Sequence, residues 1–192
     1  MNLQQDTMHD NPDELIDYIS GHKLFNSGAE LNRQAVERFL VDCKGFLKTD
    51  ILVDVPISFN IGEKVYHSRI DLAVSLAGKR FLLIKCAAGS LGSREREIIA
   101  AARLLEEYQI PMAAVSDGKT AILLDTISGR QIETGLDKFP SKAEALKKMK
   151  TFSFLPLPEK RREKEKLIFR TYDSMNVNTR HYKKGEDPVP SF

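Results

Sequence analysis

VYHSRIDLAVSLAGKRFLLIKC, residues 65–86, reads as two apolar runs joined by the tight turn Ala77-Gly78-Lys79-Arg80. β-Branched and aromatic residues on both sides of a glycine turn predict an antiparallel strand pair. Asp71 lies in the first run and Lys85 near the end of the second. A charge in an apolar run is costly to bury unless it is paired or bound to a metal. One anion and one cation on neighbouring strands are part of what a Mg2+-dependent phosphodiesterase site requires. Plainer readings stand beside this one. Asp71 can pair with Arg69, two residues away on the same face of a strand. Lys85 can extend its ammonium from a strand end to water.

Outward from this pair, a preceding strand is expected over about Leu52–Asn60, bounded by a turn at Gly62. Pro56 within it predicts an edge strand or a bulge, because proline donates nothing to a ladder. Before that, Leu31, Val36, Phe39, Leu40 and Cys43 recur at helical spacing, which predicts a helix over Glu30–Lys44 ended by Gly45. Pro12–Ile19 reads as a short helix with Asp13 and Glu14 in its first turn. Residues 1–11 are polar and read as loose.

On the other side, residues 87–92 form a loop of small residues. Ser93 then reads as the cap of a helix through Tyr108, with Glu95 and Glu97 in its first turn. Ala100, Ala101 and Ala102 let that helix approach a sheet closely, and Pro111 ends it. Met112–Ser116 and Thr120–Asp125 flank Asp117-Gly118, a hairpin signal. Ser141 starts a helix to about Lys150, and Phe154–Pro158 reads as a linker. The order predicts an α/β fold, with a mixed central sheet flanked by helices. Three segments are expected: an extension at 1–29, a main domain at 30–150 and a basic extension at 151–192.

With 192 residues, 42% of them hydrophobic, the chain can bury one good core. No apolar run reaches the length of a membrane span. The start, MNLQQDTMHD, lacks a basic region followed by an apolar one, so no secretory signal is expected and the reading is cytoplasmic. The two cysteines, Cys43 and Cys86, suit a reduced compartment, and the four histidines lack ligand spacing. Residues 1–140 hold 16 Lys+Arg against 20 Asp+Glu, and residues 141–192 hold 13 against 7. The balance therefore shifts from −4 to +6. A basic C-terminal segment suits nucleic acid or another acidic surface, but a solvated helix face stands slightly ahead, because Glu159, Glu163 and Glu165 alternate with the lysines and arginines.

Four pieces in this order carry a family resemblance: Arg33-Gln34-Ala35-Val36-Glu37-Arg38-Phe39-Leu40, Arg69-Ile70-Asp71-Leu72-Ala73-Val74, the apolar strand into Lys85-Cys86, and Ser116-Asp117-Gly118 with the strand after it. Over roughly residues 30–130 the chain resembles the PD-(D/E)xK nuclease superfamily, and within it the N-terminal domain of type I restriction enzyme R subunits. The resemblance implies a restriction-endonuclease-like fold, DNA as ligand, companion protein subunits, and Mg2+ if the site is active. It carries the family aspartate onto Asp71, the lysine onto Lys85 and a helix glutamate onto Glu37. For Glu37 the plainer reading, an exposed helix residue paired with Arg33 or Arg38, stands ahead of that role.

The chain departs from the pattern at Leu83, two residues before Lys85, where the family places a metal-binding glutamate. Shifting the alignment puts Lys85 in the glutamate position and Ala87 in the lysine position, which loses both groups. Ala100 and Leu104 stand where the type I subunits often carry Gln and Tyr. A carboxylate from the next helix can substitute, because a metal needs oxygen at a point in space; Glu95 and Glu97 are the candidates, with Asp71. Candidate phosphate contacts are Arg69, Arg94 and Arg96, and the C-terminal row Arg162, Lys166 and Arg170, ahead of which Lys160 and Arg161 add charge. Three readings follow: a nuclease-fold protein that binds nucleic acid with cleavage lost or reduced, an active Mg2+ endonuclease with a migrated carboxylate, and a scaffold or interaction protein that binds no nucleic acid.

Overall fold

The computed structural model describes residues 14–175. The chain begins with two short strands, β1 (Glu14–Ile16) and β2 (Lys23–Phe25), paired antiparallel. The helix expected over Pro12–Ile19 is therefore replaced, within the described residues, by one strand of a hairpin. The cause is local. The Asp17 carboxylate accepts the Ile19 and Ser20 N–H groups, and Gly21 adopts φ +73°. Side-chain caps of this kind favour a turn over a helix. Residues 1–13, including the segment read as loose, lie outside the described residues.

Helix α1 (Gly28–Arg38) follows, capped by Ser27, whose hydroxyl accepts the Glu30 N–H. It continues through a wider π-type turn, Phe39–Cys43, as far as the predicted stop at Gly45. Then come β3 (Ile51–Ile61), β4 (Lys64–Leu76) and β5 (Lys79–Cys86), an antiparallel run. The turn between β4 and β5 is Ala77-Gly78, with φ +49° and +74°. Two consecutive positive φ values match the right-handed twist of the flanking strands. Helix α2 (Glu95–Leu104) crosses over to β6 (Met112–Ser116), which lies parallel to β5. β7 (Ala121–Asp125) and β8 (Arg130–Thr134) complete a six-stranded mixed sheet in the order β3-β4-β5-β6-β7-β8. Pro56 thus sits on an edge strand. α3 (Lys142–Met149) carries a reciprocal cap between Ser141 and Glu144, and α4 (Glu159–Asp173) is the last described helix. No described helix is long and apolar enough to cross a membrane.

Two cores lie on the two faces of the sheet. One joins Val36 and Leu40 of the first helical segment and Ala145 of α3 to Leu72, Val74, Leu82 and Ile84. The other joins α2 and Phe169 of α4 to Val55, Ile57, Ile70, Leu83 and Val115. β3 changes face along its length: Ile51 and Val53 belong to the first core, Val55 and Ile57 to the second. The switch falls at Asp54, whose φ is +52°. One left-handed residue breaks the strict two-residue alternation. Beyond this point the β3–β4 hairpin leaves β5 behind and wraps over α4, with Phe59 and Tyr66 against Phe169.

The turn after β6 is pinned against α1. Asp117 Oδ1 accepts the N–H groups of Lys119 and Thr120, and Gly118 adopts φ +81°. A Cβ on Gly118 would meet Ala35 Cβ and the Asn32 carbonyl at 3.0 Å. Gly118→Ala should therefore destabilise the protein by about 1–3 kcal/mol, through φ strain and overpacking together. Chemical denaturation checks this, and a loss below experimental error would mean that the turn is not held against α1.

Candidate functional site

Asp71 marks the place where β4 leaves the central sheet. Its neighbour Leu72 pairs with Ile84, and the same register sets Asp71 opposite Lys85. Asp71 Oδ2 accepts the Cys86 backbone N–H at 2.7 Å, so the side chain continues the ladder where the backbone pairing stops. Lys85 Nζ lies 3.7 Å from the same oxygen. The two charges picked out in the strand pair share one face. Asp54 occupies the position across from Asp71 on β3, between the pairs Val53↔Leu72 and Val55↔Ile70.

α2 supplies the third member. Glu97 Oε1 lies 3.2 Å from Lys85 Nζ, and its Oε2 lies 3.4 Å from Arg94. Glu97 is only 2% exposed. Glu95 and Glu97, two residues apart, cannot face the same side of a helix; the fold brings Glu97 inward and leaves Glu95 half-exposed. The expected helix start also moves. Ser93 lies in a 3-10 turn and donates to the Ser90 carbonyl, α2 begins at Glu95 without a side-chain cap, and it ends at Leu104 rather than Tyr108.

Burial would push the Lys85 ammonium down, but Asp71 and Glu97 reverse this and hold it above the usual lysine range. It is a fixed cation at neutral pH. Burial, reinforced by the Asp71 charge, pushes the Cys86 thiol well up, so Cys86 is no thiolate nucleophile.

Residues not anticipated for the site close it from α4. Tyr66 donates its hydroxyl to Asp173 Oδ2 at 2.7 Å, and Arg94 donates to the Tyr172 carbonyl at 3.4 Å. Burial and the Asp173 bond push the Tyr66 hydroxyl above the usual tyrosine range. Asp173 also contributes to the raised Lys85 pKa.

Glu37 takes a different part. It is fully buried on α1 and holds Arg33 at 2.7 Å. Arg33, itself fully buried, also pairs with Glu30 and with Asp17 from the N-terminal hairpin. The expectation of an exposed Glu37 fails, while its pairing with Arg33 is present. Of the C-terminal row, Arg162 donates to the carbonyls of Leu104 and Glu106 at the end of α2, Lys166 pairs with Glu163, and Arg170 is exposed. Arg69 on β4 is half-buried and Arg96 on α2 is exposed.

Mg2+ requires oxygen ligands at about 2.0–2.1 Å in near-octahedral array. Here a lysine ammonium lies between the two converging carboxylates, and both Glu97 oxygens face cations. Leu83, in the position where a further carboxylate is expected, is fully buried under α2. Among the described residues, no group of three or more His, Cys, Asp or Glu is arranged to hold a metal ion. The donor set does not fit Mg2+. What the arrangement offers is a partly screened cation pair, Lys85 and Arg94, at the bend of a hairpin.

A family model described as the type I restriction enzyme R protein N terminus matches residues 28–140, from the start of α1 to just before α3. No curated protein matches, and no solved structure matches.

Proposed function

This chain belongs to the type I restriction enzyme R protein N-terminal family, and from that premise we propose that it is a nuclease-like domain that binds nucleic acid, DNA in the first instance, with cleavage lost. The observation that carries this reading is the position of Lys85, 3.2 Å from Glu97 and 3.7 Å from Asp71. A protein cation already compensates the carboxylates that a metal would need. Phosphate contacts come from the exposed Arg96 and Arg170, with Arg69, Arg94 and Lys166 behind them. Arg162 anchors α4 to α2 instead. Companion subunits and a cytoplasmic setting belong to the same reading.

An active Mg2+ endonuclease draws on one observation, the entry of Glu97 into the site from α2. It would require Lys85 and Arg94 to release that carboxylate, together with Asp71 as the second ligand.

The test uses the full chain with a fluorescent duplex DNA, by anisotropy across a salt series. Phosphate binding gives a linear fall of log K with log salt, and the Arg96→Ala, Arg170→Ala double substitution should flatten the slope by about two. The loss should be similar for all sequences, since phosphate contacts carry no base information. Calorimetry should find no saturable Mg2+ or Mn2+ site, and supercoiled plasmid should remain intact. Nicking that EDTA abolishes would establish the endonuclease instead. Absence of salt-dependent binding would leave the interaction-scaffold reading.

A further inference from the structure

Helix α4 lies outside the residues that match the family, 28–140, yet it is fastened along its length to α2 and to the β3–β4 hairpin. Near its start, Arg162 takes the free carbonyls at the end of α2. In its middle, Glu165 forms a 2.6 Å pair with Arg103 of α2, both buried. One turn further on, Phe169 is fully buried against Phe59 and Tyr66. These anchors fix where the helix ends. Its last turn reaches the site: the Tyr172 carbonyl accepts from Arg94, and Asp173 accepts from the Tyr66 hydroxyl.

A helix C-terminus presents carbonyl oxygens and the negative end of the helix dipole. Here it also carries a carboxylate. The oxygen against Arg94 is the Tyr172 carbonyl, which also accepts the Met175 N–H, and the adjacent Asp173 carboxylate, held by Tyr66, adds a negative charge that acts on Lys85; together they offer the acceptor and the charge that a nucleic-acid phosphate would bring. The nearby Arg170 offsets part of this charge, since it too acts on Tyr66.

We propose that the C-terminal turn of α4, Tyr172 and Asp173, is a built-in anion that occupies a backbone-phosphate position at Arg94, and that bound nucleic acid displaces it. The inference rests on the nucleic-acid-binding reading above and adds its regulation. Binding is weakened by an internal competitor. A partner or modification that draws α4 away, or neutralises its end, switches the site on.

Asp173→Asn removes the charge and keeps the shape. In the full chain it should tighten binding of the labelled duplex about fivefold and steepen the salt slope by about one, as expected when one like charge leaves a phosphate site. Tyr66→Phe removes only the hydroxyl that holds Asp173 and should tighten binding by a smaller factor. Hydrogen exchange at the amides of residues 170–173 should accelerate when duplex is added to the unmodified protein. A merely structural role for Asp173 would instead weaken binding on substitution, and thermal unfolding of both variants separates loss of fold from loss of contact.

The outcomes are distinct. Tighter binding by the variants, including the case where only Asp173→Asn binds measurably, supports the built-in anion. Salt-dependent binding by the unmodified chain that is unchanged or weaker in both folded variants overturns it and leaves the nucleic-acid reading standing. No binding by the unmodified chain or by either variant overturns both.

Discussion

Arg33→Met lowers the stability of the folded chain by about 3–5 kcal/mol, the loss expected when one partner of a buried ion pair is removed. The guanidinium is fully buried and meets Asp17, Glu30 and Glu37, all themselves buried. Methionine keeps much of the side-chain volume and supplies none of the donors, so three carboxylates lose their shared cation at once. The pH dependence has a definite sign. Burial pushes the Asp17 carboxyl up, but the Ser20 N–H and Arg33 together hold it below its ordinary value of 3.8. A depressed carboxyl contributes stability above its unfolded value and loses it as pH falls through the folded one. In the unmodified chain this contribution therefore fades only below about pH 4. In Arg33→Met the Asp17 carboxyl keeps its burial and loses the guanidinium, so it takes up its proton at higher pH and the gap between the two proteins narrows as pH falls towards 4. Urea midpoints at several pH values measure both effects. A neutral-pH gap below about 1 kcal/mol, in the range of a surface pair, would mean that water reaches the cluster.

The same cluster shows why part of the molecule was not legible in its sequence. Glu37 and Arg33 are four residues apart, and their pairing follows from helical spacing. Their burial depends on Asp17, which arrives from a hairpin that the sequence suggests is helical. Asp17 is engaged with Arg33 and with its own turn, and neither contact has a periodic signature. β8 is similar. All five of its residues are exposed, so no apolar alternation announces it. The β4–β5 pair could be read because strand chemistry, the glycine turn and burial agree there. The turn did not settle the register: a bulge between Val74 and Ser75 shifts the pairing by one residue, and that shift sets Asp71 opposite Lys85 on one face. Between β3 and β4 the register runs unshifted from the turn at Gly62, which sets position 54 opposite position 71. Tyr66, Tyr172 and Asp173 had no such signal; they meet across more than a hundred residues through the docking of α4. The basic row on that helix is legible only in part. Charge spacing predicts a face, but only the tertiary contact reveals that Arg162 caps α2.

Lys85→Met tests the site as Arg33→Met tests the scaffold. The ammonium holds Glu97, which is nearly inaccessible, and Asp71, which is half-buried. Removing it brings two like charges together with Arg94 as the remaining nearby cation. The expected loss is about 2–4 kcal/mol at neutral pH, below the full value for a buried pair because Lys85 and Asp71 retain some solvent contact. Lys85 has a folded pKa raised above its ordinary 10.5, so its contribution is fully present below that value and is lost only as pH rises through the higher one. The unmodified protein should accordingly show no loss from this group between neutral pH and about pH 10. Divalent ions give the sharper comparison. Millimolar Mg2+ or Mn2+ should leave the urea midpoint of the unmodified chain in place, because the lysine already lies between the carboxylates. In Lys85→Met the same ions should raise the midpoint, since a ligand that binds only the folded state stabilises it by mass action. A metal-dependent rise in the unmodified chain would show that Asp71 and Glu97 accept a cation alongside Lys85, and would restore the active endonuclease as the better reading. A variant indifferent to metal and as stable as its parent would remove the Lys85 contacts from any account of the site.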